Sequence, residues 1–187
     1  MKVIAFLNKK GGCGKSTLIC ALGTYWAERK RKRVAVQDME VGGLSGSFVK
    51  HIDHPNLSLY EPGQDYDYVL IDTEGNLSNE ELAQIEEYAD QIIIPIKLTA
   101  ADIKKLYETS QLLSAPKKAR VLINLVRTNT TAWRDREHSL KAIPLKQLKS
   151  FVKLRSAYEY LLVDGWPAIA HDRKAFTELE TLAGELS

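Results

Sequence analysis

The sequence predicts one α/β domain over residues 1–187, a doubly wound, mostly parallel sheet with helices on both faces. Two observations carry this. Short apolar runs of strand length alternate with longer amphipathic stretches, the pattern of parallel strands joined by helical crossovers. A glycine-rich stretch also follows the first run and opens the first helix. Such a junction puts a ligand at the carboxyl ends of the strands.

The elements follow in order. "KVIAFL" (2–7) is the first strand, and a helix starts near Lys15. "RVAVQ" (33–37) is the second strand. From Lys50 to Asp67, with Pro55, Pro62 and Gly63, the chain reads as a surface loop of weak structure. "YVLI" (68–71), "QIIIPI" (91–96) and "ARVLINLV" (119–126) continue the sheet, with helices starting near Ser78, Ala100 and Thr130. Two further helices are expected over about 154–163 and 172–185. No internal repeat, low-complexity tract or linker interrupts the series.

Composition narrows the class. Hydrophobic residues are 44% and charged residues 27% of the chain, ordinary for a globular protein. No apolar run approaches the ~20 residues of a membrane span, and "VIAFL" is too short for a signal-peptide core. Two cysteines, Cys13 and Cys20, cannot build a disulfide framework. A cytoplasmic protein is the expectation. The net charge of +2 hides a segregation: Lys117–Arg155 holds eleven Lys/Arg against Asp135 and Glu137, a net +9 that leaves −7 elsewhere. That suggests a basic surface for a polyanion, or else solvated lysines on separate faces.

"NKKGGCGKST" (8–17) is the most informative stretch. Glycines let backbone amides converge on phosphate oxygens, and the following helix N-terminus adds positive potential. Lys15 would neutralise the β/γ-phosphates and the Ser16 hydroxyl would ligate Mg²⁺. Thr17 would hold the α-phosphate side. The position seven before Lys15 is Asn8, not the usual glycine, and a second lysine, Lys10, stands ahead of Gly11-Gly12-Cys13-Gly14.

This arrangement resembles the deviant Walker A motif, K-G-G-x-G-K-[ST], of the ParA/MinD family of ATPases. The resemblance implies ATP and Mg²⁺ as cofactors and Gly11, Gly12, Cys13, Gly14, Lys15, Ser16 and Thr17 as the nucleotide loop. It also implies that Lys10 reaches across a dimer interface to the partner's nucleotide, which ties hydrolysis to dimerisation. "VAVQDMEVGG" ends the second strand. Its Asp38 matches the acid that orients the attacking water near Mg²⁺, with a strand-end turn residue as the plainer alternative. Glu40 stands where the family has a second Asp. "YDYVLIDTEGN" has the shape of a Walker B strand, so Asp72 would hold Mg²⁺ through a water. The family continues D-T-P-P, whereas here Glu74 and Gly75 follow Thr73. "VLINLVRTN" resembles the later strand whose Asn reads the base, making Asn124 the candidate. "KLRSAYEYLLVDGWPAI" is similar to the C-terminal segment, with Arg155, Ala157 and Gly165.

Other constellations carry less. His51, Asp53 and His54 sit in a Pro-flanked loop that suits solvated side chains better than zinc. Ser16, Ser45 and Ser47 lack a nucleophile elbow. Trp26 and Trp166 read as core residues, while Trp133 lies among Arg127, Arg134 and Arg136.

Three branches of the family predict different partners. A membrane-binding branch needs a basic amphipathic C-terminal helix, and the tail here carries Glu178, Glu180 and Glu185, so no membrane is expected. An iron–sulfur branch needs bridging cysteines that Cys13 and Cys20 do not supply. The ParA branch binds duplex DNA without sequence preference as an ATP-dependent homodimer. Arg134, Arg136, Lys149, Lys153 and Arg155 are its DNA candidates here. The chain begins at the first strand, as in small plasmid-type members that leave sequence reading to a centromere-binding ParB-like protein. The expectation is a slow, partner-stimulated DNA-partition ATPase on the nucleoid. A positioning or scaffold ATPase without DNA binding, or a metabolic phosphotransferase, are the alternatives.

Overall fold

The computed structural model describes residues 1–187. Its chain runs β1 (Lys2–Phe6), α1 (Lys15–Lys30), β2 (Val34–Asp38), α2 (Leu44–Ile52), β3 (Leu57–Leu59), β4 (Tyr68–Asp72), α3 (Asn79–Tyr88), β5 (Gln91–Ile96) and α4 (Ala100–Leu112). After a 3₁₀ turn (Pro116–Lys118) come β6 (Ala119–Val126), α5 (Thr131–Arg134), α6 (Arg136–Leu140), β7 (Lys146–Lys153), α7 (Ser156–Asp164), α8 (Trp166–Ala170) and α9 (Arg173–Leu186).

Seven strands form one sheet in the order β3-β2-β4-β1-β5-β6-β7, and every strand pairing is parallel. The Val/Ile-rich runs sit in its middle because both faces there are covered. Alternate residues feed two cores: Ile4 and Phe6 point to the face of α1, α2 and α7–α9, while Ala5 and Leu7 point to the face of α3 and α4. Helix α1 is buried continuously from Leu18 to Ala27. It lies between the sheet and the C-terminal helices, which removes any need for a polar stripe. Trp26 stacks on Tyr68 with ring centroids 4.2 Å apart, and Trp166 packs against Tyr25 and Phe176. Trp26 is a core residue, and Trp166 packs half-buried against that core.

Three stretches differ from the sequence reading. Residues 50–67 are not a loop throughout: α2 ends at Ile52, and Leu57–Leu59 adds an edge strand to β2. Three residues carry too little periodicity to be seen, yet Leu57 is buried. The helix expected from Thr130 is two single turns, α5 and α6, meeting at Asp135. Within the basic segment, 146–153 is strand β7: Ser150 and Val152 turn inward, Phe151 between them is half-buried, and Lys146 and Lys149 are exposed.

As the terminal strand, β7 exposes unpaired amides on its outer edge, a hazard for edge-to-edge association. Helix α9 covers them. Glu185 accepts hydrogen bonds from the Lys149 and Ser150 amides, both at 2.8 Å, and Glu178 from the Lys153 amide at 3.1 Å. Glu180 instead accepts from the Tyr25 hydroxyl. The acidic tail residues therefore latch the helix down. The apolar side of α9 (Ala175, Leu179, Leu182, Ala183, Leu186) lies in the core. No helix is long and apolar enough to cross a membrane.

Candidate functional site

The tips of β1, β2 and β4 are in register: Phe6 and Asp38 each stand opposite Asp72. Everything chemical in the loop sequence gathers there. Asn8 fixes the start of the glycine loop, since its Oδ1 accepts the Lys10 amide at 2.8 Å and its Nδ2 donates to the Pro95 carbonyl. Gly12 and Gly14 hold φ of 71° and 84°, values that L side chains rarely adopt. Gly14 has a second constraint, because a Cβ there would lie 2.6 Å from Asn124 Nδ2. Lys15, Ser16 and Thr17 form the first turn of α1, which has no acidic residue and no side-chain cap. Its amides are left free for an anion.

Asn124 sits beneath this loop. It is buried, donates from Nδ2 to the Cys13 carbonyl at 2.8 Å, and has no partner for Oδ1. The next residue, Leu125, is held at φ 54° where β6 slips register against β7. That irregularity lets the β6 tip bend under the glycine loop. Asn124 is thus placed to prop the loop rather than to lie open above it. Cys13 is buried, and burial pushes its thiol up despite the opposing Lys15 charge. It acts as a small filler.

The two carboxylates differ in environment. Asp72 is 4% exposed, and its Oδ1 has no hydrogen-bond partner. Burial raises its pKa, the neighbouring Asp38 adds to that, and the Ser16 and Ser45 hydroxyls and Lys15 oppose it. Asp38 is fully engaged: Oδ2 accepts from Ser45 Oγ and the Gly46 amide, both at 2.8 Å, and Oδ1 from the Glu40 amide. It therefore holds the start of α2 while standing opposite Asp72, as a strand-end turn residue does. Gly43 lies close under Asp38: a Cβ there would be 2.4 Å from the carboxylate and would have to displace it. Ser45, fully buried between the two acids, was missed in the sequence because only its tertiary neighbours give it a role.

A bare buried carboxylate oxygen beside a serine hydroxyl fits Mg²⁺, a hard cation that takes oxygen ligands and keeps most of its waters. Ser16 and Asp72 would hold it, and Asp38 would face it from the α2 side. Glu40 and Glu74 are both exposed.

Lys10 is half-exposed, and its Nζ lies 3.1 Å from Asp102 Oδ2. Asp102 is buried in the first turn of α4 and also accepts from Thr99 Oγ1, while its other oxygen has no partner. The second lysine is therefore parked on its own subunit.

Three of the five DNA candidates fall at the β7 edge. Lys149, Lys153 and Arg155 line a groove of about 910 Å³ with Arg173 and Lys174 of α9, two cations outside the segment that charge counting selected. Arg155 is committed elsewhere: its Nε donates to Glu178 at 3.0 Å, and its Nη2 also pairs with that carboxylate. Arg136 stacks on Trp133, with Cζ 4.2 Å from the ring centroid, and Trp133 packs on Phe151 at 4.5 Å. Lys153 Nζ lies 5.9 Å from that same Phe151 ring. Arg134 is exposed on α5.

A phosphate-binding glycine loop between a central parallel strand and a helix, with carboxylates on two neighbouring strand tips, defines a nucleotide-binding α/β domain. The particular family is shown by residues 4–160, which match the CobQ/CobB/MinD/ParA nucleotide binding domain. The chain belongs to that family. It is 27% identical to a maintenance of carboxysome distribution protein A from Gloeobacter kilaueensis, covering 88% of this chain and 82% of that protein. Its counterpart from Halothiobacillus neapolitanus is 22% identical, covering 98% and 95%. Among solved structures, a plasmid partition protein from Borrelia burgdorferi bound to AMPPNP superimposes with a TM-score of 0.78 at 16% identity, covering 98% and 97%. The chain is a ParA/MinD-type ATPase domain.

Proposed function

We propose that this protein is a ParA-type partition ATPase, a nucleotide-timed switch that holds a cargo on DNA. One observation carries the reading: Lys10 stands beside a complete phosphate loop, half-exposed, with only Asp102 of its own subunit to pair with. A lysine so placed can turn outward to the nucleotide of a second copy, completing a site that one subunit leaves open. ATP and Mg²⁺ would then close a sandwich homodimer. The Lys149, Lys153, Arg173 and Lys174 edge would meet the phosphates of duplex DNA without reading sequence. Arg134 and Arg136 extend that set through Trp133, and Arg155 leaves it as the residue that pins α9. A centromere-binding ParB-like partner would stimulate hydrolysis and end the cycle.

A second reading differs only in cargo. Both curated relatives are carboxysome distribution proteins, which favours a protein body as the object positioned, with the same switch beneath it.

The test is fluorescence anisotropy on duplex DNA of arbitrary sequence with Mg²⁺ and ATP, ADP or no nucleotide. Binding with ATP alone, falling steeply with salt, is expected. Lys149→Glu with Lys153→Glu should weaken it at least about tenfold and flatten the salt slope. Absence of DNA binding in all three states would refute the DNA step and leave the ATPase switch.

A further inference from the structure

Because every strand pairing is parallel, the C-terminal tips of the strands share one edge of the sheet. The charges just past those tips are sorted by strand order. On one side lie β3, β2 and β4, and two residues beyond the end of each stands a glutamate: Glu61, Glu40 and Glu74. On the other side lie β1, β5 and β6, and the first charged residue past each is a cation: Lys9, Lys97 and Arg127. The glutamates and Arg127 are exposed, and Lys9 and Lys97 are half-exposed. None of these side chains forms an ion pair within the subunit.

Contrary charges intrude little. On the cationic side Asp102 is buried under Lys10, and Glu108 is paired with Lys105. On the acidic side Lys50 lines the hollow beside Glu40 without pairing to it, but it lies about 9 Å along α2 from the first residue of that helix. Asp38 and Asp72 reinforce the acidic side.

We infer that this edge selects a second copy of the same chain by charge, the glutamate side of one subunit lying against the Lys/Arg side of the other. In a two-fold interface each patch meets its opposite twice. An axis between β4 and β1 sets Glu74 against the partner's Lys9, Glu40 against the partner's Lys97 and Glu61 against the partner's Arg127. Sliding the partner along the edge by one strand brings glutamate to glutamate, or lysine to lysine, at the axis, so the same charges fix register. DNA or an anionic membrane, being all of one sign, is repelled by half of such an edge, whereas a second copy is attracted along its whole length. Val41, fully exposed beside Glu40, adds apolar surface for that copy to cover. Strand β7 has no opposite number, which leaves Lys153 outside the interface. Closure of a dimer over nucleotide rests on the ATPase reading above. What is added here is that charges outside the phosphate loop choose the partner and its register.

The test is a charge exchange in the full chain, with Mg²⁺ and a non-hydrolysable ATP analogue. One variant carries Glu40→Lys with Glu61→Lys, the other Lys97→Glu with Arg127→Glu. Sedimentation velocity follows association, with one variant fluorescently labelled in mixtures. Wild type should dimerise, and each variant alone should self-associate at least about tenfold more weakly. An equimolar mixture of the two should give a one-to-one heterodimer at least as tight as wild type, because every contact again joins opposite charges. Raising salt to about 1 M, where the Debye length falls to about 3 Å, should narrow the gap between wild type and the variants. Melting temperature and nucleotide affinity of the monomers should hold. If a double variant fails to fold, Glu40→Lys and Lys97→Glu serve the same exchange with a smaller shift. Variants that dimerise as well as wild type would overturn the proposal while leaving the dimer in place, and so would a mixture that stays monomeric. Wild-type protein that stays monomeric with nucleotide would refute the dimer reading, and this proposal with it.

Discussion

The strand-tip site and the β7–α9 edge are both rich in charge, but the charge is arranged on opposite principles. At the tips, polar groups are left incomplete: Asp72 Oδ1, Asp102 Oδ1 and Asn124 Oδ1 are buried without partners, and the first turn of α1 has no cap. At the edge, the backbone amides and the arginine are finished, and Ser150 Oγ is the one buried side-chain oxygen there without a hydrogen-bond partner. Each amide that β7 offers between Lys149 and Lys153 with a hydrogen bond to α9 meets a glutamate, and Arg155 meets Glu178. Unsatisfied buried groups cost stability, so they persist where a ligand supplies the missing partner. Satisfied ones hold the fold together. The difference separates a binding site from a seam.

Substitutions can break that comparison, and the largest effect belongs to the incomplete site. Lys15→Ala removes the cation on the β/γ-phosphates and should cut ATP turnover by about a hundredfold or more, measured at saturating Mg²⁺, with the melting temperature little changed. If turnover survives, the loop is not the phosphate site. Lys10→Ala should leave nucleotide binding by the monomer intact but abolish ATP-dependent dimerisation, followed by light scattering. A dimer that still forms would remove Lys10 from the interface.

The seam should respond in stability instead. Arg155→Met leaves a largely buried Glu178 without its cation, and about 3 kcal/mol of stability should be lost by denaturant titration. ATP turnover per folded molecule should stay near wild type. Next in size is Asp72→Asn. Burial raises the Asp72 pKa, so the folded state holds that proton more tightly and the ionised carboxylate weighs against folding above its unfolded pKa. The amide should therefore raise the melting temperature of the nucleotide-free protein at pH 7 by the equivalent of about 1 kcal/mol, while Mg²⁺-dependent turnover disappears. An unchanged or lowered melting temperature would mean that the carboxylate is not strained.

The smallest effect sharpens the contrast through pH. For Glu185, burial acts to raise the pKa, but hydrogen bonds from the Lys149 amide, the Ser150 side chain and the Ser150 amide outweigh it and hold the carboxyl below its usual range. A depressed carboxylate contributes stability that is present above its unfolded pKa and lost as pH falls through the folded one. The seam should thus loosen only in acid, below the ordinary carboxylate range. Glu185→Gln should shrink that acid-dependent loss, read as hydrogen exchange at Lys149 and Ser150 against pH. An identical pH profile in the variant would show that another group titrates there.

The legibility of the two regions differs for the same reason. The phosphate loop was readable because its function depends on short spacing: Lys10, Gly14, Lys15 and Ser16 lie within one strand–helix junction, and glycine is required by backbone angle alone. Asp38 and Asp72 were readable because each ends an apolar run. Strand β7 was not, since a half-exposed edge strand with lysines at 146, 149 and 153 resembles a polar stretch. Its partner glutamates lie 25 to 36 residues further along the chain. Ser45 and Asp102 were invisible for a similar reason, each gaining its role from a contact across separate elements. The five DNA candidates were chosen by proximity in sequence, and the fold sorted them differently. It tied Arg155 to Glu178, linked Arg136 to Lys153 through two aromatic rings, and added Arg173 and Lys174.

By itself, the sequence determined the α/β order of strands and helices, the phosphate loop and the two acidic tips, because local periodicity and backbone constraints act over a few residues. Only the tertiary structure decided which charges are spent and which are free. It showed Lys10 resting on Asp102, Asn124 propping the loop, and the tail glutamates closing the sheet edge. Those outcomes depend on which groups meet across the sheet and how far water is excluded between them, and neither quantity is written in neighbouring residues.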